Sequence, residues 1–204
     1  RTIRPLFDHR LRREVQVVAT ILAIDEKSDP DFTALLAAST ALAISQVPWA
    51  GPVAGVKVLK TKSGEWLINP NNDQIQSNFE LVTFVAGTEE KISMIELEGM
   101  ETQEASAGEA FRRAHEEIKK LIKWQGEIIA KVGKPKAQIP LVEAHEEMKS
   151  KIKNFLGKRL EEAIYLKGKK ERQDEISRVQ IEMREYLSKE GVDAASLAAA
   201  DHFF

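Results

Sequence analysis

No cysteine occurs among the 204 residues. That excludes a disulfide framework and any thiolate metal site, and it fits a reducing compartment. Long apolar runs are missing too: none approaches the ~20 residues needed to span a bilayer, and the N-terminus does not read as a signal peptide. A soluble protein is expected, cytoplasmic or organellar, with no membrane partner. Catalytic signatures are equally scarce. The chain has no phosphate loop, no Gly-x-Gly-x-x-Gly, no His-Glu-x-x-His and no Gly-x-Ser-x-Gly. Ala50-Gly51-Pro52-Val53-Ala54-Gly55 carries glycines, but Pro52 removes an amide donor and Gly55 leads into a strand, so it reads as a backbone turn. No carboxylate pair is set apart as an acid/base couple. No catalytic residue and no metal ligand is assigned.

What is present is an ordinary globular balance, 43% apolar and 30% charged, long enough for one large domain or two small ones. The formal charge of −2 offers no global attraction to nucleic acid. Its distribution is uneven, however: Arg1, Arg4, Arg10, Arg12 and Arg13 face only Asp8 within the first 13 residues. Such an excess can meet phosphates, although composition alone favours a solvated basic edge. The chain opens on Arg rather than Met, so a longer parent protein is expected.

The fold class expected is α+β with a mostly antiparallel sheet, followed by an all-α bundle. Residues 14–24 are β-rich with partial alternation and predict a strand buried on at least one face. Asp29-Pro30-Asp31 supplies a cap, a proline at the first helical position and early negative charge for an Ala/Leu-rich helix that ends before Pro48. Residues 53–59 and 65–68 form a hairpin across Lys62-Ser63-Gly64, and Pro70–Asp73 starts a short polar helix or turn. Residues 79–86 and 92–97 give two more strands. Phe111, Ala114, Ile118, Leu121, Ile122, Gln125, Ile129 and Val132 then fall at helical spacing, and Gly133 and Pro135 stop that helix. Charged amphipathic helices follow over 141–166 and 169–190. The boundary is placed near residue 102, giving domains 1–102 and 103–204. From residue 100 on there are 20 basic and 19 acidic residues, read as a salt-bridged bundle without the polarity for nucleic acid.

Ala114-His115-Glu116-Glu117 recurs as Ala144-His145-Glu146-Glu147. A His and a Glu three apart share a helix face, as in carboxylate-bundle metal sites. Here the glutamates follow the histidine by one and two positions and the further carboxylates are not evident, so a charged helix surface is the better reading.

Several ordered stretches resemble the polynucleotide phosphorylase family. Arg1-Thr2-Ile3-Arg4-Pro5-Leu6-Phe7 is close to that family's Arg-Pro-Ile-Arg-Pro-Leu-Phe, and Glu14–Thr20 matches the strand after it. Asp29-Pro30-Asp31, Ala37–Ser45, Val47-Pro48 with Gly51-Pro52, and Leu67–Pro70 follow in order. Leu81-Val82, Val85–Thr88, Ala114–Glu117 and Gly133–Lys136 complete the series. Beyond about residue 141 only helical character and position match. The resemblance implies the later part of a first RNase PH-like core domain and the helical domain after it, within a homotrimeric phosphate-dependent 3′→5′ exoribonuclease. Such an enzyme degrades single-stranded RNA to nucleoside diphosphates, or polymerises without a template, with inorganic phosphate as co-substrate and Mg2+ assisting. Other RNA-degradation proteins are possible partners. The alternative is a non-catalytic RNA-binding or assembly subunit of an exosome-like ring. By the same resemblance Arg1 and Arg4 are the RNA-contact candidates, with Pro5 expected to hold Arg4 extended. Asp8-His9-Arg10 departs from the family's Pro-Glu-Gly turn, which leaves the roles of Arg10, Arg12 and Arg13 open.

Overall fold

Local signals start most elements where the sequence predicts. In the computed structural model, the side chain of Asp29 accepts a hydrogen bond from the Asp31 amide, with Pro30 at the first helical position, and α1 runs Pro30–Ile44. The hairpin forms as β1 (Ala54–Thr61) and β2 (Trp66–Ile68), turned at Gly64, whose φ of 89° suits glycine. A capping box between Asn71 and Gln74 begins α2, Asn72–Asn78. Then come β3 (Phe79–Gly87), β4 (Ile92–Gly99) and α3 (Glu104–Val132). The structure describes residues 1–204 apart from 12, 26, 142–145, 193–196, 198, 199 and 201–204, and without the side chains of 77 and 78.

The four strands form one antiparallel sheet in the order β2-β1-β3-β4. Ala54, Val56, Val58, Leu81 and Val85 of the sheet pack against Ala110, Ala114, Ile118 and Ile122 of α3. Full burial of a side chain such as Ile118 contributes about 1.5–3 kcal/mol. The opposite face meets α1, where Gly55 is required by contact: a Cβ there would lie 2.7 Å from the Phe84 ring and 2.9 Å from Leu35.

One polar network ties these parts. Gln125 Oε1 accepts from Ser39 Oγ at 2.7 Å and from Thr40 Oγ1 at 3.2 Å. Gln125 Nε2 donates to the Val53 carbonyl at 2.9 Å, and the Val53 amide donates back to Ser39 Oγ at 2.9 Å. Ser39 and Gln125 are fully buried. After α3, Lys136 Nζ donates to the carbonyls of Leu42, Ala43 and Ser45 at the C-terminus of α1. There it complements the negative end of the helix, while burial lowers its pKa. The Lys134 and Ala137 amides bond the Ile44 and Gln46 carbonyls.

The expected boundary near residue 102 is therefore displaced. The chain divides into compact units 1–139 and 140–204, because the buried stripe of α3 belongs to the sheet and residues 134–137 are hydrogen-bonded to the end of α1. The second unit holds α4 (Glu146–Leu156), α5 (Arg159–Ile164) and α6 (Lys169–Lys189). Its core joins Ile152, Met183, Leu187 and Ala200, beside stacked Phe155 and Tyr186 rings 5.0 Å apart. The single helix expected over 141–166 is broken at Gly157, which adopts a φ of 45°.

Residues 14–24 correct a second expectation. They join no ladder among the described residues, and Val18, Ile21, Leu22 and Ile24 are exposed by 55–93%. Alternation identifies a β-competent segment, but burial needs a partner that the described residues do not supply. The segment lines an apolar cleft of about 480 Å3 against Ala34, Ala37, Ala38 and Ala41 of α1.

Replacing Gln125 with Leu keeps the volume but leaves the Val53 carbonyl and Ser39 hydroxyl unsatisfied. Urea unfolding should show a loss of about 2–4 kcal/mol; an unchanged midpoint contradicts the role given to this network.

Candidate nucleic-acid interface

The basic N-terminal segment is anchored by its apolar residues. Thr2 is buried, and Ile3, Leu6 and Phe7 pack against Leu42, Ala43, Trp49 and Val53. Trp49 Nε1 donates to the Ile3 carbonyl and the Ala50 amide to the Leu6 carbonyl, both at 3.0 Å. Phe7 and Trp49 stand 6.4 Å apart, ring to ring. Between these anchors Arg4–Leu6 closes a 3-10 turn, with the Phe7 amide bonded to the Arg4 carbonyl. Arg4 is thus helical rather than extended. The preference of a pre-proline residue for extended backbone is overridden by contacts on both sides, and a proline within the first turn costs no hydrogen bond.

Arg4 is exposed and has no ion pair among the described residues. The neighbouring carboxylate is already engaged: Asp8 accepts from Arg10 Nε at 2.9 Å, from Arg10 Nη2 at 2.7 Å and from the Arg10 amide at 2.9 Å. These bonds hold the Asp8 carboxyl well below the usual carboxylate range. Arg10 is consequently committed to Asp8. Arg13 is exposed, and Arg12 lies outside the described residues.

Arg1 is placed differently. Its guanidinium is 3.3 Å from Glu96 on β4, both side chains being largely exposed. The shallow depression it lines, about 330 Å3, also carries Asp31. The Glu96 carboxylate beside Arg1 weakens its field for a phosphate, whereas Arg4 has no such ion pair among the described residues. Sequence position alone could not separate these two arginines, since Glu96 is 95 residues away.

His115 Nε2 lies 3.2 Å from the Thr88 carbonyl, joining α3 to the β3–β4 turn, while His145 lies outside the described residues. Among the described residues no three His, Asp or Glu side chains converge as a metal site. Glu109, bonded by Arg112 and Arg113, is lowered to about 2, a helix-surface ion pair of the kind expected for this charged face. No described helix is long and apolar enough to cross a membrane.

No protein-family model matches the chain. Individual relatives do. The chain is 38% identical over 201 residues to polyribonucleotide nucleotidyltransferase of Bacillus pumilus, covering 98% of the chain and 28% of the relative. With the Syntrophomonas wolfei protein of that name it shares 39% over 199 residues, 98% and 28% of the two chains. With that of Thermomicrobium roseum it shares 41% over 166 residues, 81% and 21%. The chain thus spans about a quarter of the length of the relatives it matches.

The geometry predicts a specific titration. In Arg10→Gln the Asp8 carboxyl, followed by NMR, should rise towards about 3.9, while Arg4→Gln leaves it unmoved. Because Asp8 is depressed in the folded state, its contribution to stability is present above that unfolded value and fades as pH falls through the folded one. A shift of Asp8 in Arg4→Gln would show that Arg4 is paired after all.

Proposed function

The chain belongs, as a segment, to the polyribonucleotide nucleotidyltransferase family, and from that premise we propose that it is part of a phosphorolytic 3′→5′ exoribonuclease. In this reading unit 1 is the later part of an RNase PH-like core domain, with α3 as its packing helix. Unit 2 is the helical domain that follows. The parent assembles as a trimer around a channel for single-stranded RNA, in the cytoplasm, and this segment contributes channel wall and scaffold. Inorganic phosphate attacks the terminal linkage and releases nucleoside diphosphates, with a divalent ion assisting. Among the described residues no carboxylate cluster fits such an ion, so no step of that reaction is assigned to this chain.

What the segment supplies is phosphate contact. The observation that carries the reading is Arg4, an exposed guanidinium with no ion pair among the described residues, on a turn fixed by Trp49 and Ala50 on either side. A guanidinium fork suits phosphate oxygens, and contacts of this kind hold any sequence alike. Arg1 joins it more weakly because Glu96 shares its charge.

Binding of oligoadenylate by the 204-residue chain tests this. Arg4→Ala should lower the slope of log affinity against log salt by roughly 0.7 without changing the melting temperature. An unchanged slope with a lowered melting temperature would make Arg4 a brace for the fold.

A further inference from the structure

Of the large apolar side chains left exposed among the described residues, six fall within residues 14–24: Val15, Val17, Val18, Ile21, Leu22 and Ile24. No other stretch of that length carries more than three, so this is a patch rather than scatter. The segment is rich in β-branched residues, holds no glycine or proline, and has Glu14 as its single charge, a composition suited to a strand. Among the described residues none of its amides or carbonyls takes part in a backbone hydrogen bond. Open backbone groups beside apolar side chains are what a sheet edge offers to another strand. The outward small residues of α1, Ala34, Ala37, Ala38 and Ala41, already give one side some cover. Val15, Val17 and Ile21 are accordingly less exposed, at 39–55%, than Val18, Leu22 and Ile24 at 69–93%.

What fits the open edge can be read from charge. Antiparallel pairing of the segment with itself about Ala19 sets Val17 opposite Ile21, Val15 opposite Ala23 and Arg13 opposite Asp25, each twice by symmetry. Arg13 is exposed and has no ion pair among the described residues. Asp25 accepts hydrogen bonds from the Ser28 and Lys27 amides, which hold its carboxyl below the usual range and so ionised. Parallel pairing in register would instead bring Arg13 beside Arg13 and Asp25 beside Asp25. An antiparallel slip of one residue would set Glu14 against Asp25. Both alternatives place like charges together, so charge selects one direction and one register.

We propose that residues 14–24 are a self-recognition strand, through which two copies of this chain pair antiparallel and two-fold about Ala19. Apolar contacts of Val17 against Ile21 lie near the centre of that dimer, and ion pairs of Arg13 with Asp25 close its two ends. Such pairing needs neither RNA nor Arg4.

Sedimentation equilibrium of the 204-residue chain tests this, with circular dichroism to show that each variant keeps its fold. The unaltered chain should sediment as a dimer, at twice 22.9 kDa. Ile21→Lys, which sets a charge against Val17 at both symmetric positions, should be monomeric. Arg13→Gln removes two cross-strand charge pairs and should raise the dimer dissociation constant about 2- to 30-fold. The chain has no cysteine of its own, so an introduced one reports what stands opposite it. On mild oxidation Ala19→Cys should close an interchain disulfide, because directly opposed Cα atoms stand about 4.5–5.5 Å apart. Ala23→Cys, which faces Val15, should stay unlinked. A monomeric unaltered chain overturns the proposal and leaves the segment to a strand from elsewhere in a longer polypeptide. A dimer that survives Ile21→Lys overturns it by placing the interface elsewhere. Linking of Ala23→Cys as readily as Ala19→Cys overturns the antiparallel register, and association that grows without limit overturns the closed pair in favour of open edges.

Discussion

Gln125 touches three elements at once. Its carboxamide accepts from Ser39 and Thr40 on α1 and donates to Val53 at the start of β1, while its own backbone sits in α3. In a buried site each of these groups would cost about 1–3 kcal/mol if left without a partner, so satisfying them together fixes how α1 and α3 sandwich the sheet. The consequences run outward. α1 fixed in this way presents Leu42 and Ala43 to Trp49 and to the first seven residues, and its C-terminal carbonyls are in place for Lys136. The position of Arg4 and the end of the first unit both follow from that arrangement.

Charge is distributed over this frame in a way that the total conceals. The chain is slightly acidic, and several of its arginines and lysines on helix faces answer a glutamate three or four residues away. Such exposed pairs contribute little to stability, but they cancel the field that would draw a polyanion. Among the described residues Arg4 stands outside this pairing, its neighbour Asp8 being taken by Arg10. Unpaired cations on a formed scaffold are what a phosphodiester backbone meets without reorganising the protein.

How far the sequence could be read depended on the range of the interaction involved. Asp29-Pro30, the helix start at Pro70–Asp73, the turn at Gly64 and the periodic stripe of α3 act within a few residues, and each appears where expected. The family resemblance, drawn from ordered short motifs, agrees with relatives 38–39% identical over nearly the whole chain. Less legible were features decided at a distance. A helical stripe shows that α3 is amphipathic but not which core it faces, so the boundary was drawn before it rather than after. Residues 14–24 alternate like a strand, yet alternation does not supply a ladder partner. Gly157 is a single residue whose left-handed conformation breaks a long amphipathic pattern. At the candidate site, Arg1 and Arg4 are alike in sequence and differ only because Glu96 folds back beside one of them.

Native-state hydrogen exchange tests most directly whether α3 and the sheet form one cooperative unit held through Gln125. The account predicts that the amides of Ile118 and Ile122 in α3 open with the same free energy as those of Val56, Val58 and Val85 in the sheet. It also predicts that this free energy differs from that of the α6 amides at Met183 and Leu187. Exchange of the α3 amides together with those of α6, leaving the sheet protected, would contradict it.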